Sequence, residues 1–144
     1  MKKQLMIAAA IGAVGIGVWA FLPPNVTPPD QPQTAEIGAA LVRVTLPASL
    51  SPNAQLGQRA YDTVCVACHG ENGNGRNGMG PPLVHKIYEP SHHGDEAFQR
   101  AVALGVRAHH WSFGDMAPVP GFTRADVKMI ITYMRELQRA NGIN

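Results

Sequence analysis

Cys65-Val66-Ala67-Cys68-His69 is the stretch that decides how this chain is read. Its two cysteines are the only ones among 144 residues. They stand two residues apart with a histidine immediately after, which is the spacing for covalent haem attachment. The two thiols can add across the two vinyl groups of one haem c, while His69, on the next turn, offers an imidazole nitrogen to the iron. Two plainer readings compete. A lone C-x-x-C also serves as a thiol/disulfide pair or as half of a zinc site. No βαβ pattern surrounds it, and no second cysteine pair exists to complete a zinc site.

Working outward, Ser51 reads as an N-cap and Pro52 as the first helical residue of a helix running to about Val64. Leu56, Ala60 and Val64 recur at helical spacing, and this helix delivers the chain into Cys65. On the other side, residues 70–78 contain four glycines and three asparagines without periodicity, so they form a loop. A phosphate-binding reading fails because no strand precedes the glycines and no Gly-Lys-Ser/Thr follows. Gly80-Pro81-Pro82-Leu83 then stiffens the chain and has carbonyls free to accept from the second nitrogen of His69, a bond that fixes ring orientation.

Asp95 to Leu104 is expected to be a short helix, acidic at its start and closed by Gly105, with Phe98, Ala101 and Val102 inward. The last helix begins at Thr123, with Asp126 completing a capping box. Val127, Ile130, Ile131, Met134 and Leu137 form its apolar stripe. Between these helices, Met116 lies in a proline-rich loop and belongs to no helical stripe, so it is the candidate distal ligand for iron. Met79, His109, His110 and an open site are the alternatives. The pairs His92-His93 and His109-His110 read as surface or propionate-side groups, with a copper or zinc site as the competing reading.

Leu5 to Leu22 is eighteen residues without a charge, preceded by Lys2 and Lys3. At 1.5 Å per residue it spans roughly 27 Å, enough for a bilayer core. The lysines orient the N-terminus inward and send the rest of the chain out. Val18-Trp19-Ala20 resembles a cleavage site, but the apolar run continues past it, which favours an uncleaved anchor. The sequence thus divides into a transmembrane signal-anchor (1–22), a proline-rich linker (23–50) with a strand-like stretch at Leu41 to Leu46, and a helical domain (51–144). Beyond Lys2 and Lys3, ten basic residues balance ten acidic ones. That balance gives no argument for nucleic acid or anionic lipid as a partner.

The chain resembles class I c-type cytochromes of the membrane-anchored monohaem kind over roughly Ser51 to Ala140. The likeness rests on Gly57 and Tyr61, Cys65 to Gly70, the Gly80 to Leu83 turn, the methionine-proline loop and a terminal amphipathic helix bearing Tyr133. It implies an all-α fold of three to four helices around one covalent haem, with the first and last helices crossing near Gly57. It further implies that Cys65 and Cys68 carry the haem, that Tyr61, Pro81 and Leu83 line its site, that the Pro81 carbonyl accepts from His69, and that Met116 is the distal ligand. Ala117 intervenes before Pro118 where the family usually has proline directly after the methionine. The implied function is single-electron transfer, without catalysis, by a monomeric carrier tethered to the bacterial inner membrane. Its haem domain would face the periplasm and serve respiratory or dehydrogenase partners. A fixed subunit of an oxidoreductase, and a haem enzyme or gas binder with an open sixth site, are the rival readings.

Overall fold

The computed structural model describes residues 36–144, all of which fall within one folded unit. The anchor expected over 1–22 and the first part of the linker lie outside the described residues. No helix among the described residues is long and apolar enough to cross a membrane.

The capping signals place the helices. Ser51 Oγ accepts from the Ala54 amide at 3.2 Å, and Pro52 opens α1, Pro52–Val64. A short α2, Val66–His69, follows directly. After single 3-10 turns at Glu71–Gly73 and Lys86–Tyr88 comes α3, Asp95–Leu104, ended by Gly105 at φ 77°. Helix α4, Arg124–Ala140, starts on a complete Thr123/Asp126 capping box. The all-α expectation therefore holds over the described residues, with isolated bridges at Arg76–Gly80 and Val106–Met116 and no strand.

The core lies where α1 meets α4. Val127, Ile130, Ile131, Met134 and Leu137 are all buried, as the stripe requires, and Ile130, Met134 and Leu137 share one cluster with Ala54 and Tyr61 of α1. Gly57 makes this crossing possible: a Cβ there would run into the backbone carbonyl of Met129. The Tyr61 and Tyr133 rings meet edge to face at 5.7 Å. Glu136 accepts from both the amide and the hydroxyl of Ser51, at 3.0 and 2.6 Å, tying the start of α1 to α4.

One buried cation fastens α3 and the preceding segment to α4. Arg135, 8% exposed, donates from Nε to Asp95 at 2.9 Å, from Nη1 to the Tyr88 carbonyl at 2.7 Å, and from Nη2 to the His93 carbonyl at 2.6 Å. Its guanidinium also lies 5.0 Å from the centre of the Phe98 ring. Gln138, fully buried, takes a fourth bond from it and donates to the Leu83 and Tyr88 carbonyls.

The strand-like stretch Leu41 to Leu46 forms no strand. Residues 36–50 instead run along the domain as an irregular segment that opens on a turn at Ile37-Gly38 and bends at Leu41-Val42. The Leu41 and Val42 amides donate to the Asn74 carbonyl, both at 3.1 Å, and Thr45 exchanges two bonds with the Asn141 side chain at 2.8 and 2.9 Å. The alternation of Val42 and Val44 with Arg43 and Thr45 reports one packed face, but no neighbouring strand offers a ladder.

Candidate haem site

Helix α1 ends at Val64, and the amide of its cap, Cys65, donates to the Tyr61 carbonyl at 2.9 Å. The chain continues helically, so Cys65, Cys68 and His69 share one and a half turns. Cys65 is half-buried and lines a cavity of about 440 Å³, whereas Cys68 is exposed on the same turn. Burial pushes the Cys65 thiol up to about 11. A thiol/disulfide pair needs the reverse, a depressed thiol that reacts as thiolate. The zinc reading fares no better, because neither cysteine belongs to a three-ligand group among the described residues.

His69 Nδ1 lies 2.9 Å from the Pro81 carbonyl. A carbonyl only accepts, so Nδ1 carries the proton and Nε2 keeps its lone pair for a metal. Burial lowers the His69 pKa, against a smaller opposing effect of the Pro81 carbonyl, which keeps the ring neutral and ligating near pH 7. The proline turn sits hard against the attachment turn: a Cβ at Gly80 would come within 2.6 Å of the Cys68 carbonyl oxygen. Tyr61 donates its hydroxyl to the Gly70 carbonyl at 2.8 Å and fixes the residue that follows His69. Burial pushes the Tyr133 hydroxyl up to about 12, and that group donates to Asn72 in the same loop at 2.8 Å.

The cavity brings together most of the residues singled out from the sequence. Tyr61, Cys65, His69, Pro81, Leu83 and Met116 all line it. Met79 does not. It stands 39% exposed, with its sulfur beside Gly38, which removes it as a competitor for the distal position. His109 and His110 do line the cavity, so spacing alone did not separate them from Met116.

The methionine loop is held by backbone rather than by its prolines alone. Met116 and Val106 exchange two amide–carbonyl bonds, each 2.9 Å. Asp115 accepts from the Ala108 amide at 2.8 Å, and the Val119 amide donates to the Val102 carbonyl at 2.8 Å. Met116 is thereby fixed to the chain leaving α3, with Phe98, Ala101 and Val102 of that helix in the same wall, as their inward placement predicted.

One wall residue had no sequence signal. Trp111 stacks on Phe113 at 5.7 Å, and its buried Nε1 makes no hydrogen bond to the protein. A buried donor without a partner costs about 1–3 kcal/mol. A haem propionate entering this cavity would supply the acceptor. The cavity's mostly apolar lining, one thiol in the wall, a neutral imidazole with its free nitrogen available and a thioether all fit a covalently held haem.

Compared with known proteins, the chain has no match among curated sequences. The family model described as cytochrome c matches residues 54–138, from the first turn of α1 nearly to the end of α4. Fold, attachment turn and cavity agree with that match, so the chain belongs to the cytochrome c family and is an electron-transfer protein carrying covalent haem c.

Proposed function

We propose that this cytochrome shuttles single electrons with its iron held between His69 and Met116, on a domain tethered to the membrane and facing the periplasm, between respiratory or dehydrogenase partners. The observation that carries the reading is that a neutral imidazole held through Pro81 and a methionine whose backbone is paired with Val106 line one cavity. Bound there, the haem iron supplies a one-electron change between ferric and ferrous.

The residues of the chain do the rest. Cys65 and Cys68 anchor the macrocycle by thioether bonds and hold it beside α2. The Pro81 carbonyl orients His69 and raises its basicity as a ligand. The Met116 thioether would be the second protein ligand offered to the iron, and Met/His ligation would raise the reduction potential. The apolar wall would exclude water from a bound haem, and the Trp111 Nε1–H would be available to a carboxylate there. With His69 held by a backbone carbonyl and the Met116 backbone paired with Val106, little of the chain would have to move when the charge changes. The uncharged run Leu5 to Leu22 supports tethering, which raises the effective concentration of the domain for partners at the same membrane.

The test is the optical spectrum of the holoprotein and of Met116→Ala. Wild type is expected to show the weak charge-transfer absorption of sulfur-ligated ferric haem and, when reduced, to refuse carbon monoxide. The variant is expected to lose the absorption, bind carbon monoxide and fall in potential. A wild type that binds carbon monoxide readily would instead establish an open site.

A further inference from the structure

The two histidine pairs, which the carrier function leaves unused, converge. His92 and His93 sit in the turn before α3, and His110 sits in the segment after it. The fold nevertheless brings a ring nitrogen of each within 4.8 Å of the others. His92 Nε2 and His110 Nε2 are 3.2 Å apart. Two imidazoles on one tetrahedral zinc, at about 2.0–2.1 Å each, hold their nitrogens about 3.3 Å apart. The rings meet at steep angles, 75° for His92 with His93 and 72° for His93 with His110, so they present edges rather than stack.

The third ring is prepared as a ligand. His93 Nδ1 lies 2.7 Å from the Ile87 carbonyl, which only accepts, so Nε2 keeps its lone pair. That is the outer bond usually found behind a metal-bound histidine. The turn itself is rigid: the amides of His92 and His93 both donate to the Glu89 carbonyl, at 3.0 and 2.8 Å, and Arg135 holds the His93 carbonyl. His109 packs on the trio, 4.4 Å from the His110 ring and stacked on the His93 ring at 5.9 Å, but its nitrogens lie outside the ligand group and Nδ1 donates to the Arg107 carbonyl.

We propose that His92, His93 and His110 form a binding site for one divalent transition cation of the zinc or copper type, with a fourth position open to water. Three imidazoles and no carboxylate exclude calcium and magnesium, which take oxygen ligands. Imidazole suits zinc and copper, and copper binds such a set more tightly. The site joins the segments on either side of α3. Because His93 and His110 also line the haem cavity, a bound cation cross-links the two flanks of its wall.

The experiment uses full-length, tag-free holoprotein, in which His69 is already committed to iron, freed of other metals by a chelator. Calorimetric titration with zinc chloride is expected to give one equivalent. His92→Ala, which lies outside the haem cavity, is expected to weaken binding at least tenfold while the visible haem spectrum stays that of wild type, and His110→Ala to weaken it at least tenfold as read by the zinc titration. Wild-type holoprotein with one equivalent of cupric ion is then read by electron paramagnetic resonance, a measurement independent of how the variants fold. Nitrogen superhyperfine structure from imidazoles is the supporting result. No stoichiometric zinc, undiminished binding in the variants, or an all-oxygen copper spectrum would each overturn the site.

Discussion

Arg135 shows how one side chain can organise a domain without leaving a recognisable mark in the sequence. In the periodic pattern of α4 it occupies the position after Met134, where a charge reads as the solvent edge of the stripe. The fold buries it instead, because its planar fork is the donor that satisfies the Tyr88 and His93 carbonyls and the Gln138 side chain together. Truncation would leave the His93 carbonyl and the Gln138 side-chain oxygen without this donor inside a low-dielectric region, while the Tyr88 carbonyl would keep only its bond from Gln138. Arg135→Ala is therefore expected to cost about 3 kcal/mol in urea denaturation of the holoprotein. Arg135→Lys should recover only part of this, since an ammonium cannot span the same set of acceptors. By contrast, the acceptor for His69 was legible, because a proline turn with surplus carbonyls follows the attachment residues. Trp111 was not, since an aromatic in an aperiodic segment carries no sign of which wall it joins.

The longer helices were legible from their ends: α1 and α4 are announced by side-chain caps, and α3 by acidic residues in its first turn and a closing glycine. Ser51-Pro52, Asp95 with Gly105, and Thr123 with Asp126 are local chemistry, and local chemistry survives any tertiary arrangement. The reading of Leu41 to Leu46 failed for the complementary reason: a strand requires a partner, and period-two alternation in one segment cannot supply it. The cap on α4 has a pH signature. Hydrogen bonds from Thr123 hold the Asp126 carboxyl below its ordinary value of 3.8. A carboxyl depressed in the folded state contributes stability that is present above its unfolded pKa and is lost as pH falls through the folded one. Asp126→Asn should thus lower the thermal midpoint at neutral pH. The gap from wild type should close as acid protonates the native carboxyl, and a series of melting curves from neutral to strongly acidic buffer measures it.

At the scale of the molecule, the haem acts as core. The described unit is small, and its helices enclose a hollow of about 440 Å³. A dry, closed void of that size would cost about 10 kcal/mol at 24 cal/mol per Å³, comparable with the entire stability of a domain of this length. Water entering the open cleft reduces that figure, yet the apolar wall would still be wetted. Haem-free protein, made as Cys65→Ser/Cys68→Ser, is expected to retain helical far-ultraviolet dichroism but to lose the cooperative calorimetric transition of the holoprotein. The cavity could be anticipated from a haem motif in so short a chain. Which residues the chain upstream of Ser51 would bond to could not, because those bonds run largely through backbone amides, which every sequence possesses. Those bonds also define a path for mechanical tension. Among the described residues, counting inward from Glu36, the attachments run from Glu36, Gly38 and Ala39 to Asn77, then from Leu41 and Val42 to Asn74, and then from Thr45 to Asn141. A pull from that side would strain the loop that follows His69 before any force reached α4, so the iron's proximal surroundings stand first in the line of traction.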